Sequence, residues 1–570
     1  MNIYTYECIV IGTGAAGYNA ACRLKEFGVS VAMVTEGVNC GTSRNTGSDK
    51  QTYYKLGLGG DRPDSVYHMA KDLFDGGSVD GDNALCEAAL STRSFMHLCE
   101  LGVPFPVNRY GEFVGYKTDH DPYERATSAG PLTSKFMTEA LQKKANALKI
   151  DIYDGYYAAQ ILKTGNRVCG LLCVKGDETV AFRCGQIVMA TGGPAGIYAD
   201  SAYPACHTGA SGLAILSGAK MQNLAHWQYG LASVSPRWNV SGTYMQVLPR
   251  FVSVDADGTE HDFLWEYFQD PYEGLSMVFL KGYQWPFDPQ KAQSGSSRID
   301  LLVHRERTEK KRRVYLDFTR NPFDIDFTKL SEEAYAYLQK AGATFGTPME
   351  RLTKMNAPAI ALYQQKGVDL GKEYLEIALC AQHCNGGVAV DLWWQSSVKG
   401  LFAVGECAGT HGISRPGGSA LNAGQVGALR AAQYIAQHPN GLVAEDVFLR
   451  IASNPNLCFA DSSTQIEKAR RRMSDDAAAV RDPQKINALL RLTLAELKKA
   501  DDVRLADTLA TQAAVLTAMA QPQNDPQKVQ EVILTDSGFV QTVRNVRPIP
   551  SADSFFENVW RSYRENKNIY

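Results

Sequence analysis

Residues 6–36 read YECIVIGTGAAGYNAACRLKEFGVSVAMVTE, and this stretch decides the fold class. Cys8–Ile11 is a short apolar run, which is typical of a buried parallel strand. Residues 18–27 have a helical pattern, and Gly28 follows in the position that commonly ends a helix. Residues 29–34 form a second apolar run. Strand, helix and strand in this order predict the beginning of an α/β fold.

Three glycines between the first strand and the helix form a G-x-G-x-x-G pattern. Gly12 permits a tight turn, Gly14 lets a pyrophosphate approach the backbone, and Gly17 lets helix and strand pack closely. The helix N-terminus attracts phosphates. Glu36 follows about 20 residues on, where an acid can bind ribose hydroxyls. The pattern predicts a dinucleotide site, and a glycine-rich structural turn in another α/β sheet is the alternative.

Two later segments favour FAD over NAD as the dinucleotide. Residues 185–196 (GQIVMATGGPAG) and residues 400–409 (GLFAVGECAG) each run from an apolar strand into glycines. A simple NAD domain would end long before residue 400, whereas a long flavin dinucleotide held from both ends of the chain explains this return.

Composition excludes several classes of protein. The chain has 570 residues with a formal net charge of -3, which argues against a nucleic-acid-binding protein. No stretch approaches the roughly 18 apolar residues of a membrane span. The N-terminus enters a strand without a signal-peptide pattern, so we expect a cytoplasmic protein with no membrane span. Cys380, His383 and Cys384 lie close together, but no second ligand pair at zinc-finger spacing accompanies them, so we expect no metal.

With these features the sequence resembles the fumarate reductase/succinate dehydrogenase flavoprotein family, which includes aspartate oxidase. The resemblance also rests on residues 381–391 (AQHCNGGVAVD) and 400–425 (GLFAVGECAGTHGISRPGGSALNAGQ). These motifs cover both ends of the FAD domain in the family's order, whereas the central third of the chain matches loosely.

The resemblance implies an α/β fold in three parts. A Rossmann-like FAD-binding domain is built from discontinuous segments, 1–237 and 376–440, with an α+β capping domain inserted at 238–375. A C-terminal helical region follows at 441–570. The residues agree, because aromatic side chains crowd into 238–289 and apolar residues recur at three- and four-residue spacing over 485–520.

The family chemistry is hydride transfer between FAD and a carbon–carbon bond beside a carboxylate or carbonyl. Arg415 matches the family's substrate-binding arginine, and a guanidinium can grip a carboxylate with two N–H groups. His383 matches a substrate-binding histidine, and Arg298 is a match to the proton-donating arginine. We expect these three to be catalytic, with His411 and Tyr229 joining His383 and Arg415 in binding the substrate.

A route for the proton is suggested by the residues that follow Arg298. Asp300 and Glu306 lie close to Arg298 in the sequence and could pass protons to it. The alternative for Arg298 is a surface arginine beside a helix of the cap.

The resemblance and the glycine motifs together give the expected FAD-binding set. Its members are Gly12, Gly14, Ala15, Ala16, Gly17, Glu36, Gly37, Thr42, Ser43, Thr46, Gly47, Ala190, Thr191, Gly192, Gly405, Glu406, Gly418, Ser419, Ala420 and Leu421.

Two departures from the family pattern carry predictions. The stretch that enters the cap usually holds a histidine that binds the substrate's second carboxylate, but here Gly230 follows Gln228 and Tyr229. This predicts a substrate other than fumarate. Members with covalent FAD carry a histidine soon after the second strand, and residues 37–50 contain none, which predicts non-covalent FAD.

The leading hypothesis is an FAD-dependent reductase of an activated alkene, an enoate or enone, supplied with electrons by an external protein or a reduced carrier. One alternative is an oxidase of the aspartate-oxidase type, because the sequence does not fix the direction of hydride transfer. Another is an electron-transfer subunit similar to the flavoprotein of adenylylsulfate reductase, which would need an iron–sulfur partner.

Overall fold

A computed structural model of the protein describes residues 1–60, 62–118, 121, 123–284, 286–453, 461–552 and 555–566. Its strands, in chain order, are β1 (Asn2–Thr5), β2 (Cys8–Ile11), β3 (Val31–Thr35), β4 (Thr52–Tyr54), β5 (Ala126–Ser128), β6 (Asp151–Asp154), β7 (Tyr157–Thr164), β8 (Arg167–Lys175), β9 (Glu178–Arg183), β10 (Gln186–Met189), β11 (Met221–Gln222), β12 (Trp227–Ser233), β13 (Trp238–Asn239), β14 (Arg250–Val254), β15 (Glu260–His261), β16 (Arg313–Asp317), β17 (Leu375–Cys384), β18 (Gly387–Val388), β19 (Leu401–Ala403), β20 (Lys528–Thr535) and β21 (Gly538–Asn545).

The α-helices are α1 (Ala15–Glu26), α2 (Thr42–Asn45), α3 (Val66–Phe74), α4 (Gly81–Ala89), α5 (Ser91–Glu100), α6 (Thr133–Ala147), α7 (Ser211–Leu216), α8 (Thr243–Gln246), α9 (Pro271–Lys281), α10 (Ser297–Thr308), α11 (Glu332–Lys340), α12 (Pro348–Gln365), α13 (Ser419–Gln437), α14 (Glu445–Ala452), α15 (Ser463–Asp476), α16 (Pro483–Leu497), α17 (Val503–Ala520) and α18 (Phe556–Asn566). Short 3-10 turns lie at Ala195–Ile197, Phe263–Glu266, Pro289–Lys291, Phe327–Lys329 and Gly405–Cys407.

The central sheet is parallel and has the strand order β19-β10-β2-β3-β6. Strand β2 pairs with β10, which is far along the chain, and β10 pairs in turn with β19. All residues of β2 and β3 are buried, as expected for strands covered on both faces. The sheet therefore confirms an α/β fold whose Rossmann-like domain is assembled from discontinuous segments.

Local predictions around the glycine motif hold with small shifts. Strand β2 has the predicted bounds, whereas α1 begins at Ala15, three residues before the predicted start. The earlier start follows from Gly14, which has extended dihedral angles and serves as the N-cap. Helix α13 begins at Ser419, directly after the glycine pair at 417–418.

The cap is an antiparallel sheet with helices α8 to α12 around it. Its strand order is β13-β12-β17-β16-β14-β15. A separate apolar cluster fills this unit, and Trp238, Phe251 and Tyr363 are among its buried members. Strands β12 and β17 connect the cap to the parallel-sheet domain, so the boundaries that we predict at 238 and 375 fall inside or at the edge of one continuous sheet.

The aromatic residues of the cap mainly build its interior. Trp238 is fully buried, and Trp265 packs against the cap's apolar clusters. Trp285, which belongs to the same aromatic stretch of the sequence, lies outside the described residues.

The C-terminal region is helical but also contributes strands. Helices α14 to α17 are followed by the hairpin β20–β21, and β20 pairs with β11 of the FAD-binding part. The predicted helical stretch 485–520 forms two helices, because Asp502 caps the second with its side chain. Among the described residues, none of the helices combines the length and apolarity that crossing a membrane requires. The same residues contain no group of three or more His, Cys, Asp or Glu side chains arranged to hold a metal ion.

Candidate functional site

A deep cleft opens along the ends of the parallel strands, where ligands bind in open α/β sheets. It encloses about 1190 Å³ of empty space, including its open mouth. The walls come from the glycine turn after β2, the segment after β3, the loop after β10, residues 206–210, and the segments around 405 and 421. The lining runs from the acid after β3 to the segment around 421, so the cleft can take an extended ligand.

The glycine turn brings three backbone segments into close contact. Gly12 has φ +103°, and a Cβ there would lie 2.4 Å from the carbonyl oxygen of Ala190. A Cβ on Gly17 would lie 2.1 Å from the carbonyl oxygen of Gly12. Only glycine fits either position, because any side chain would push strand and helix apart.

The N-terminus of α1 points into the cleft at this turn. Its first residues, Ala15 and Ala16, line the cleft, and the Ala15 amide donates to the Ser43 hydroxyl at 3.3 Å. Unpaired N–H groups and the helix dipole make such an end attractive to anions. The cradle therefore fits a pyrophosphate.

Most residues of the expected FAD-binding set face this cleft. Those that line it are Gly12, Gly14, Ala15, Ala16, Glu36, Gly37, Thr42, Ser43, Ala190, Thr191, Gly192, Gly405, Glu406, Ala420 and Leu421. The remaining members, Gly17, Thr46, Gly47, Gly418 and Ser419, do not line it. Thr46 donates to the Ala202 carbonyl, and Gly47 packs against Trp238.

The cleft also has lining residues that sequence reasoning missed, notably Gln51, Ser134, Tyr157 and the segment 206–210. His207 is the most informative of them. Its ring nitrogens contact the Thr42 hydroxyl and the Gly193 carbonyl, each at 3.0 Å. Burial lowers the pKa of His207 to about 4, so the ring is neutral near pH 7. The sequence signal was weak, because this histidine stands in a loop without a motif.

A second group of polar side chains lies between the cleft and the cap. It contains Arg415, His383 and His411, and the two imidazole rings are 5.1 Å apart. Arg415 Nε, His383 Nε2 and His411 Nε2 are buried and have no protein hydrogen-bond partner among the described residues. Buried polar groups are normally paired, so three such nitrogens in one place indicate a ligand-binding site.

Arg415 is the cation of this group. Its Nη2 donates to Gln228 Oε1 at 2.7 Å, and its Nε has no hydrogen-bond partner among the described residues, so Nε can donate to a ligand. Burial lowers the pKa of Arg415 to about 10, while the nearby Glu406 and Glu87 oppose the shift, so the guanidinium stays charged near pH 7.

The protonation of His383 follows from its neighbour Asn385. The Asn385 amide donates through Nδ2 to the Ile413 carbonyl at 3.1 Å, so its oxygen must face His383. His383 Nδ1 lies 3.0 Å from that oxygen and must carry the proton. Burial, then Arg415 and His411, hold the pKa of His383 well below its ordinary value. The neutral ring therefore presents a lone pair on Nε2.

Two carboxyl groups, the buried Glu87 and the partly buried Glu406, flank the cation. Glu406, which also lines the cleft, accepts from the Cys384 amide at 3.2 Å and contacts the Tyr203 hydroxyl. Glu87 on α4 is almost completely buried, and its Oε1 has no hydrogen-bond partner in the part of the chain that the structure describes. Burial raises the pKa of each group to about 8, although Arg415 lowers it in both cases.

Two of the predicted site residues point elsewhere. Tyr229 is buried, and its hydroxyl pairs with that of Tyr198 at 3.2 Å. Arg298 lies on α10, donates to the Tyr267 carbonyl at 2.5 Å, and has its guanidinium 4.3 Å from the ring centre of Phe268. These contacts lie within the cap, so the structure does not bring Arg298 to Arg415.

The carboxylates near Arg298 are also engaged within the cap. Asp300 forms a buried ion pair with Lys281 at 2.6 Å, and Glu306 is paired with Lys310 and Arg312.

Comparisons with known proteins agree with this architecture. Residues 7–421 match the model of a family described as "FAD binding domain". A component of the fumarate reductase (CoM/CoB) of Methanothermobacter marburgensis is 24% identical over 442 residues, which is 75% of this chain and 72% of that protein. An L-aspartate oxidase of Mycobacterium bovis is 24% identical over 535 residues, 91% of this chain and 90% of that protein.

A solved structure of a quinol–fumarate reductase with menaquinol molecules superimposes with a TM-score of 0.72. It covers 97% of this chain and 100% of its own at 17% sequence identity. At this identity the likeness supports the fold.

Proposed function

Because this chain belongs to the FAD-binding family that contains fumarate reductase and aspartate oxidase flavoproteins, it is a flavin-dependent oxidoreductase, and we propose that it reduces an activated carbon–carbon double bond. The double bond lies next to a carboxylate or carbonyl, as in an enoate or enone. The observation that carries this proposal is the charged Arg415 beside His383 and His411, each with a buried nitrogen that lacks a hydrogen-bond partner among the described residues.

The residues that line the cleft fit FAD. The cradle at Gly12 and Gly14 would hold the pyrophosphate, Glu36 the ribose hydroxyls, and the segments around Thr191 and Glu406 the flavin end. A bound FAD would supply the hydride. We propose that it is held without a covalent bond, because both ring nitrogens of His207 already have protein partners. Release of intact FAD by acid tests this point.

Arg415 would bind and polarise the substrate. Its remaining N–H groups grip the carboxylate or carbonyl oxygen, and negative charge grows on that oxygen as the β-carbon receives hydride. A fixed cation in a partly dry site stabilises such charge more than water does. Gln228 holds the guanidinium in place, so little reorganisation is needed.

Protonation of the α-carbon needs a protein acid. Arg298 is the candidate that the family resemblance suggests, and its side chain is 32% exposed. Donation to a substrate beside Arg415 requires Arg298 to leave its contacts with Tyr267 and Phe268. His411 would contribute a further hydrogen bond to the substrate, and the buried Tyr229 would support the wall of the site from behind.

An oxidase that removes hydride from an amine-bearing carbon is the second candidate. It is favoured by His383, whose Nε2 lone pair can accept a hydrogen bond or a proton from an amine. Turnover with dioxygen as the only acceptor would distinguish it from the reductase.

In the reductase, electrons come from an external protein or a reduced carrier. Purification with an iron–sulfur partner would instead support an electron-transfer subunit.

The test is an anaerobic screen of the dithionite-reduced protein against a panel of alkenes. Return of the oxidised flavin absorbance reports reduction of the added compound, and chromatography identifies the saturated product. Turnover of an enoate or enone supports the proposal. Oxidation of an amino acid by dioxygen, with no alkene reduced, would replace it with the oxidase.

A further inference from the structure

Helix α17 of the C-terminal region contacts the dinucleotide cleft at the wall that contains Glu36. Arg504 Nη1 on this helix lies 2.8 Å from Glu36 Oε2. The other carboxylate oxygen, Oε1, accepts a hydrogen bond from the Thr208 hydroxyl at 2.6 Å. The acid after β3 is therefore held between two segments that lie far from it in the sequence.

Arg504 is itself fixed by a third segment. Its guanidinium carbon lies 4.3 Å from the ring centre of Tyr157, and Tyr157 lines the cleft. Cation–π contact of this kind contributes about 0.5–1 kcal/mol at exposed sites. Arg504 thus joins the β7 side of the cleft to the β3 side.

One turn further along α17, Asp507 holds the segment that follows Thr208. Its buried carboxylate accepts from the amide of Leu213 at 3.1 Å, at the start of α7. A Cβ on Gly212 would lie 2.3 Å from Asp507 Oδ1, so the two helices are in direct contact. The residues just before α7, Thr208 to Ala210, line the cleft. The same helix therefore contacts two segments that line one cleft.

We infer that Arg504 is a binding determinant for the adenosine half of FAD, so that the C-terminal region takes part in retaining the cofactor. This inference rests on FAD binding and not on the reaction that the protein catalyses. Arg504 and Thr208 each use one lone pair of Glu36 and fix the remaining two in space for the ribose hydroxyls. The Arg504 charge also offsets repulsion between the Glu36 carboxylate and the pyrophosphate in the same cleft.

The experiment compares FAD release from the full-length flavoprotein and its variants after dilution, followed by flavin fluorescence. The Arg504 side chain is 44% exposed, so its contribution is modest. We expect Arg504→Ala to release FAD about three- to tenfold faster. Arg504→Lys keeps the charge, so its rate of FAD release should lie between those of the unmodified protein and Arg504→Ala. Arg450→Ala removes an exposed arginine of α14 from the same C-terminal region and should match the unmodified protein.

A second probe locates the effect at the adenosine end. ADP lacks the flavin and should compete with FAD for rebinding. We expect the ADP concentration that halves the initial rate of FAD rebinding to be higher for Arg504→Ala. The increase should match the factor by which the rate of FAD release rises. An unchanged ADP value together with faster FAD release would overturn the inference, as would FAD release at the original rate.

The Glu36→Gln background separates positioning from general destabilisation. Arg504 acts through the Glu36 carboxylate, so adding Arg504→Ala to Glu36→Gln should accelerate release little further. The same acceleration in both backgrounds would show that the arginine stabilises only the helix, and the inference would then be wrong. Failure of the alkene screen leaves each of these outcomes interpretable.

Discussion

Arg415 and Gln228 are joined by a hydrogen bond of 2.7 Å between Nη2 and Oε1, although Arg415 precedes α13 and Gln228 is the second residue of β12 in the cap sheet. Gln228 is the cross-strand partner of His383, and the ladder has a bulge immediately after it. A bulge re-aims the side chains next to it. The β12–β17 register therefore puts Gln228 beside His383, and the hydrogen bond from Arg415 joins the guanidinium to this pair.

The first prediction concerns Arg415. If this cation binds and polarises the substrate, its loss should lower kcat as well as affinity. We expect Arg415→Ala to lose about a hundred- to a thousandfold in kcat, by analogy with oxyanion-stabilising groups. Arg415→Lys keeps the charge but loses the planar fork, so it should also be impaired. Steady-state kinetics with the best alkene, with FAD content measured alongside, checks this. Near-normal turnover of Arg415→Ala would show that Arg415 does not polarise the substrate.

The second prediction tests Gln228 as a positioning residue. Gln228→Leu removes the acceptor that holds Nη2, so the guanidinium loses its fixed orientation. Hydrogen bonds to charged groups contribute about 1.5–3 kcal/mol, so kcat/KM should fall roughly ten- to a hundredfold. The double variant Gln228→Leu/Arg415→Ala is the control and should be no worse than Arg415→Ala. Additive losses would mean that Gln228 acts independently of the arginine.

The third prediction concerns the phosphate cradle. Gly14 lines the cleft, and a Cβ there would already lie 3.1 Å from the Ser43 hydroxyl. The two further methyl groups of Gly14→Val would enter the path of a pyrophosphate, so the variant should purify without yellow colour. A Cβ on Gly441 would have no heavy atom of the described residues within 4 Å, so Gly441→Val is the matched control. Equal FAD content in the two proteins, measured by absorbance, would contradict the placement.

The sequence predicts the parts of this protein that have local causes. The strand at Cys8–Ile11, the glycine turn and the acid at Glu36 are close together in the chain, and each is determined by neighbours within about one helical turn or strand. The start of α13 at Ser419 was predictable for the same reason, since Gly418 serves as its N-cap in the left-handed conformation.

Features that depend on distant segments were not predictable from the sequence. His207 reaches the cleft because the loop after β10 folds back over it, and Gln228 meets Arg415 only through the β12–β17 register. A motif match alone points to Arg298, but side-chain direction depends on packing, and Phe268 and Tyr267 hold it in the cap. The β20–β21 hairpin lies just beyond a strongly helical stretch and gave a weaker pattern than the helices before it.

The fourth prediction is a pH dependence of stability caused by Glu87. Burial raises its pKa to about 8, whereas an unfolded glutamate titrates near 4.3. Between these values the unfolded chain has lost the proton that the folded protein keeps, so stability falls as pH rises. The side chain introduced by Glu87→Gln does not titrate, so this variant does not share the fall in stability. Its melting temperature relative to the unmodified protein should increase from pH 5 to pH 8 and level off above.

Thermal unfolding at several pH values, with equal FAD loading, measures this difference. All other titrating groups are shared by the two proteins and cancel to first order. Glu100→Gln, at the exposed end of α5, controls for loss of a negative charge. A difference between Glu87→Gln and the unmodified protein that stays constant from pH 5 to pH 8 would show that Glu87 is ionised in the folded state.

The last prediction concerns the missing histidine at Gly230. Arg415 is the cation beside His383 and His411, and burial keeps both histidines neutral. A second carboxylate on the substrate would lose its hydration at a place where the histidine of the family pattern is missing, and Glu87 and Glu406 lie near Arg415. An unpaired buried polar group costs about 1–3 kcal/mol, and a charged one costs more.

Monomethyl fumarate has the same double bond with one charge fewer, so we expect its kcat/KM to exceed that of fumarate at least tenfold. Gly230→His should narrow this ratio by improving fumarate, measured anaerobically from the flavin absorbance of the reduced protein. If fumarate is reduced as well as its monoester by the unmodified protein, another group binds the second carboxylate and the argument from Gly230 is wrong.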